Sequence, residues 1–139
     1  MKSLVKENGL SNKIHCDSAG TISYHVGETP DTRMIEHASK RGYNLDSIGR
    51  HIQRLDLEHF DYILTMDDEN YENVLALDPE GNYKHKIFKM TKFCREYNAA
   101  EVPDPYYGGP QGFEHVLNLL EDASAGLLEY ILKEHPELS

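Results

Sequence analysis

The sequence predicts an α/β fold in which a parallel sheet is flanked by helices. Helical and strand-like segments alternate along the whole chain, the arrangement that gives a parallel sheet covered by helices. Asp61-Tyr62-Ile63-Leu64-Thr65-Met66 is rich in β-formers and runs straight into the acids Asp67, Asp68 and Glu69, a strand-turn-helix unit. From Phe113 to about Glu134, apolar residues recur at helical spacing. The 139 residues have the length of one ordinary domain, so residues 1–139 are read as a single domain.

Taken in order, Lys2 to Asn8 reads as the end of a helix, with Leu4 and Val5 apolar and Asn8-Gly9 as its stop. Lys13 to Asp17 predicts a short strand, with Cys16 a small buried residue on it. It runs into Ser18-Ala19-Gly20-Thr21, small enough for a backbone to approach a ligand or another loop. After a loop to Pro30, Asp31 is placed to cap a helix over Thr32 to Lys40, with Met34, Ile35 and Ala38 on its apolar side and Arg41-Gly42 at its end. Asp46 to Arg54 fits either a short helix or a loop, and Leu55, Leu57 and Phe60 are directed toward a core. The strand at Asp61 to Met66 leads to a helix through Ala76, with its acids at the positive end.

Asp78 to Asn82 is a turn cluster, Lys86 to Met90 a strand, and Thr91 to Ala100 a connection or short helical turn. In the last helix Phe113, Val116, Leu117, Leu120, Ala123, Leu127, Leu128 and Ile131 form one stripe, mildly interrupted by Gly126.

Charge and composition exclude several functions. Lys and Arg number 14 against 24 Asp and Glu, a net charge of −10, and that field repels nucleic-acid phosphates and anionic lipid alike. No run approaches the roughly 18 apolar residues of a bilayer span, and MKSLVKENGL has no apolar signal core; no membrane partner and a cytoplasmic location are expected. Cys16 and Cys94 are too few for a disulfide framework. With His25, His51, His59 and His115 showing no ligand spacing, neither metal nor cofactor is expected.

The chemistry concentrates in Val102-Pro103-Asp104-Pro105-Tyr106-Tyr107-Gly108-Gly109. Two prolines fix φ near −65° and remove two backbone donors, so Asp104 is presented on a stiff loop. Two adjacent Tyr rings cannot both face one core in a tight loop, so at least one lines a surface cleft. A carboxyl held beside aromatic walls suits protonation of a leaving group.

Four motifs in register resemble the low-molecular-weight protein-tyrosine phosphatases: Asp17-Ser18-Ala19-Gly20-Thr21; His25-Val26-Gly27 with Pro30-Asp31 and Arg33; Phe60-Asp61-Tyr62-Ile63-Leu64 with Met66-Asp67 and Asn70; and Asp104-Pro105-Tyr106-Tyr107-Gly108. The resemblance runs from residue 1 to about 133, with a departure at Arg50-His51-Ile52-Gln53, where the family often has Ala-Arg-Gln. It implies a phosphotyrosine phosphatase I-like fold and hydrolysis of a phosphomonoester through a cysteinyl-phosphate. Asp104 would act first as general acid and then as general base, Tyr106, Tyr107 and Tyr24 as substrate walls, and Ser18 as the hydroxyl that steadies the phosphate loop. The substrate would be a phosphotyrosine-containing protein or a small aryl phosphate.

The family's first strand, central in its sheet, and the loop Cys-x5-Arg-Ser that follows it have no counterpart in this sequence. Six residues beyond Cys16 stands Ile22, and six beyond Cys94 stands Ala100. That loop binds the phosphate dianion by successive N–H groups and a bidentate Arg, and its field turns the Cys into a thiolate. General acid catalysis alone supplies about 10²–10⁴-fold, against accelerations of up to ~10²¹ for phosphate monoesters. The 139 residues are therefore expected to be an N-terminally truncated, inactive form of a phosphatase. The alternatives are a non-catalytic binding or regulatory module on the same scaffold, or an arsenate reductase, which needs further cysteines.

Overall fold

In a computed structural model of the protein the described residues are 1–20, 32–43, 50–98, 101–103 and 109–138. They form two compact units, Ser18–Lys89 in one and Met1–Asp17 with Met90–Ser139 in the other.

The Ser18–Lys89 unit holds the sheet. Strand β1, Ile63–Thr65, pairs in parallel with β2, Ile87–Lys89, in the register Ile63 to Ile87, Leu64 to Phe88 and Thr65 to Lys89. A parallel pair needs a crossover. The crossover contains α4, Asp68–Leu75, which starts where the sequence predicts: Asp67 is its cap and accepts from the Asn70 N–H at 2.7 Å, while Asp68 and Glu69 sit in the first turn. The return to β2 is set by buried Asp78, whose carboxylate accepts the N–H groups of Asn82 at 3.0 Å and Tyr83 at 2.8 Å. Helix α3, Arg54–His59, precedes β1. Its Leu57 is fully buried with Ile63, Val74 and Ile87, and Phe60 packs against that cluster. The Lys86 ammonium donates to the Leu57 and Glu58 carbonyls at 3.0 and 3.4 Å, satisfying the negative end of α3.

Leu55 does not join this core; it is 68% exposed. On a helix, residues two apart point in nearly opposite directions, so Leu57 takes the inward position and turns Leu55 out. Helix α2, Thr32–Lys40, is found as predicted, with Ala38 completely buried. Gly42 follows it at φ +85°, the left-handed stop that glycine provides. The expected cap Asp31 and residues 46–49 of the ambiguous Asp46–Arg54 stretch lie outside the described residues; Arg50 to Gln53 is not helical, and α3 begins only at Arg54.

The second unit is helical. Helix α1, Lys2–Glu7, places Val5 against Leu10 and Leu128, with Leu4, Ile14, Cys16 and Leu132 around them. Leu128 belongs to α5, Gly109–Glu134. Of the predicted stripe on α5, Leu120 is only half-buried, whereas Leu119, outside that stripe, is among the most buried side chains of the protein.

The strand predicted at Lys13–Asp17 does not form. The N–H groups of Lys13 and Ile14 both go to the Leu10 carbonyl at 2.9 Å, closing a turn. From Ile14 to Asp17 alternate residues still face inward and outward, and Cys16 is half-buried; the sequence alternation reported an extended run rather than a strand of the sheet. Along the other side of α5 runs a 3-10 turn, Met90–Phe93, which fulfils the expected helical turn. Gly126 is not a mild interruption: a Cβ there would collide with the Phe93 backbone carbonyl. The Phe93 and Tyr130 rings meet at 5.3 Å beside it.

Candidate active site

Of the residues singled out in the sequence, Asp104, Tyr106, Tyr107 and Tyr24 lie outside the described residues, and Ser18 lies within them. The segments that hold their neighbours are described.

Ser18 is exposed and stands two residues before Gly20. Gly20 makes a parallel bridge with His51: its N–H donates to the Arg50 carbonyl at 2.7 Å, and the Ile52 N–H donates to the Gly20 carbonyl at 2.8 Å. The small-residue run thus admits a neighbouring backbone, as its composition predicted. The partner segment is itself fixed. Arg50 donates to Asp56 at 3.1 Å, and Asp56 also accepts the Gln53 N–H at 2.8 Å, closing a reciprocal capping box at the start of α3. Desolvation opposes the Asp56 carboxylate, yet the Arg50 and Gln53 hydrogen bonds outweigh it and hold its pKa below the ordinary range. Sequence reasoning missed this arrangement, although Gln53-x-x-Asp56 carries capping-box spacing.

The carboxyl end of the sheet is the ligand-binding edge of open α/β folds. Here β1 runs out through Thr65, whose hydroxyl donates to the Phe88 carbonyl at 3.3 Å, to half-exposed Met66 and the cap Asp67. Lys89, ending β2, pairs with Asp68 and lies 5.9 Å from the Tyr71 ring centre. This edge therefore carries a cation already engaged by a carboxylate.

On the Asp104 side, the chain before Glu101 is fastened to α5. One carboxylate oxygen of Asp122 accepts the N–H groups of Arg95 and Glu96 at 3.0 Å and of Tyr97 at 3.1 Å. Arg95 also donates to Glu129 at 2.6 Å, and the Tyr97 ring meets His115 edge-on at 6.2 Å. Desolvation works against the Asp122 charge, but the three backbone donors and the Cys94 thiol hold its pKa below the usual carboxylate range.

Neither cysteine has the surroundings of a nucleophile. Burial is the first cause that raises the Cys16 thiol. Burial and then the Asp122 carboxylate raise that of Cys94, whose Sγ lies 3.8 Å from the Leu119 carbonyl oxygen. Catalytic thiolates need the opposite shift.

A shallow depression of about 390 Å³ on α3, lined by Leu55, Asp56, Glu58 and His59, holds none of the predicted residues, and its two carboxylates repel phosphate. Among the described residues no group of three His, Cys, Asp or Glu could hold a metal ion, and no helix is long and apolar enough to cross a membrane.

Comparison with known proteins covers nearly the whole chain. The family profile for low molecular weight phosphotyrosine protein phosphatases matches residues 1–137. A Synechocystis protein, provisionally named a low molecular weight protein-tyrosine-phosphatase, is 50% identical over 134 residues, which cover 96% of this chain and 85% of the relative. The Bacillus subtilis low molecular weight protein-tyrosine-phosphatase YfkJ is 34% identical over 134 residues, 96% of this chain and 84% of its own length. The crystal structure of a protein tyrosine phosphatase from Entamoeba histolytica superposes with a TM-score of 0.89 at 46% identity, covering 98% of this chain and 85% of that one.

Proposed function

Because this chain belongs to the low molecular weight phosphotyrosine protein phosphatase family, we propose that its site hydrolyses phosphotyrosine in proteins or small aryl phosphates, with Asp104 moving the protons. The profile match over residues 1–137, which spans the whole Asp104 loop, carries this reading. Asp104 protonates the departing tyrosyl oxygen and then, by microscopic reversibility, takes a proton from the water that opens the phosphoenzyme. Tyr106, Tyr107 and Tyr24 form the walls that accept an aromatic leaving group, and Ser18 steadies the phosphate-binding loop.

The attacking sulfur and the phosphate-binding guanidinium are the parts this reading leaves to a Cys-x5-Arg-Ser loop. Neither Cys16 nor Cys94 heads such a loop, as Ile22 and Ala100 occupy the Arg positions, and both thiols have raised pKa values. We therefore propose that the 139 residues by themselves turn over p-nitrophenyl phosphate only at background. A chimera that adds a strand and a Cys-x5-Arg-Ser loop ahead of Met1 should hydrolyse it. Turnover by the unextended chain that survives replacement of both cysteines and vanishes in Asp104→Ala would overturn the account of the nucleophile. A chimera that folds, binds phosphate and stays inactive would leave a binding module.

A further inference from the structure

We infer that the depression on α3 is a docking site for a partner segment in which an arginine stands beside an aliphatic side chain, with Leu55 taking the aliphatic group and Glu58 the guanidinium. The inference is independent of the reading of Asp104 as the proton donor.

Helical spacing builds this face. Glu58 and His59 follow Leu55 by three and four residues on α3, so the three side chains share one side of the helix. With Asp56 they line a shallow volume of about 390 Å³. Leu57 takes the opposite side into the core, which leaves Leu55 68% exposed. A lone exposed leucine is ordinary on a protein surface. Here it borders a concavity together with carboxylates, and that combination selects what can settle there.

The charges name the occupant. Asp56 is already engaged by the Arg50 guanidinium and the Gln53 N–H. Glu58 is exposed and accepts the neutral Tyr83 hydroxyl at 3.2 Å, and among the described residues no cation pairs with its carboxylate, Arg54 one turn back included. Lys86 donates to the main-chain carbonyls of Leu57 and Glu58 instead. A carboxylate left in this state attracts a cation, and the net charge of −10 steers basic segments toward the surface. Between the two basic side chains the guanidinium fits better. Its planar fork meets both carboxylate oxygens, and its face stacks on an aromatic ring, which His59 supplies at the rim.

The site is preformed. The His59 ring stands edge-on to Phe60 at 4.9 Å, and Phe60 packs against the core. The capping box fixes the start of α3 and Lys86 its end, so docking orders little of the protein. Ligand pockets bury most of a small molecule; a shallow site instead suits two neighbouring side chains of a larger partner, as a local anchor.

The test titrates the full 139-residue chain with the capped peptide Gly-Ala-Leu-Arg-Ala-Gly, followed by amide NMR. Saturable shifts are expected at Leu55, Glu58 and His59. Leu55→Ala should weaken binding about tenfold and Glu58→Gln about threefold. Glu72→Gln, which removes the same charge from an exposed position on α4, should leave binding unchanged. If Glu72→Gln weakens binding as much as Glu58→Gln, bulk charge explains the effect and the site is overturned. Equal binding of a peptide with citrulline in place of arginine, or with alanine in place of leucine, overturns it as well, and these peptides on the unaltered chain decide should a variant fail to fold. Shifts on α3 that grow with the chain's own concentration before peptide is added would make a second copy the occupant and overturn the assignment. So would the absence of any saturable shift on α3.

Discussion

The backbone carbonyl of Phe93 occupies the space that a methyl group on Gly126 would require. A glycine inside a long helix ordinarily gives up about 0.5–1 kcal/mol relative to alanine. Here the obstacle is main chain from a 3-10 turn and cannot rotate aside, so overpacking of roughly 1–3 kcal/mol decides the sign. Gly126→Ala should therefore lower the denaturant midpoint of the purified chain; a rise would show that the contact yields.

Asp56 serves two partners, the Gln53 N–H and the Arg50 guanidinium. Its loss removes a helix cap, and Asp56→Ala should destabilise by about 1 kcal/mol. Arg50→Ala should cost less, under about 1 kcal/mol, because Arg50 is partly solvated. The folded-state pKa of Asp56 is lowered, so its contribution is complete above the unfolded carboxylate pKa and disappears as pH falls through the folded value. The gap between wild type and Asp56→Ala, followed by chemical denaturation from neutral to strongly acidic pH, should close over that window.

Asp78 is 4% exposed and supplies the acceptors for two main-chain donors, those of Asn82 and Tyr83. Without them both N–H groups lose partners at the entrance to β2. Asp78→Ala should cost about 1–3 kcal/mol, read as a lowered urea midpoint, and Asp78→Asn should recover part of it through its remaining carbonyl oxygen.

In the Cys-loop chimera, Asp104→Ala should reduce kcat by about 10²–10⁴-fold on phenyl phosphate, whose leaving group needs a proton. On p-nitrophenyl phosphate the loss should be much smaller, since nitrophenolate departs unaided. Equal losses on both substrates would argue that Asp104 holds structure rather than moves a proton.

How much of this was legible in the residues follows from how local each signal is. Asp67 and Asn70 lie within one helical turn, so the start of α4 could be read directly, as could the Ile63 and Ile87 strands with their β-branched and aromatic neighbours. Leu55 misled because a spacing of two suits a strand, whereas α3 is a helix that turns it away from Leu57. The run at Ile14 and Cys16 has the alternation of a strand, but alternation reports an extended backbone and does not encode membership of a sheet. Asp104, singled out by its flanking prolines, lies outside the described residues. The grip of Asp122 on Arg95, Glu96 and Tyr97 had no signature, because its donors are main-chain groups more than twenty residues away and main-chain groups look alike in every sequence.

The parallel pair of β1 and β2 joins residues only 24 positions apart, Ile63 and Ile87, whereas Lys13 reaches Leu138 across 125. Short-range closures are kinetically favoured over long-range ones. A refolding chain should accordingly gain its first slow-exchanging amides in the ladder between β1 and β2, and the meeting of α1 with α5 should come last. The earliest structured species would then be the strand-helix-strand hairpin alone, with the rod that follows Gly109 still searching for Val5.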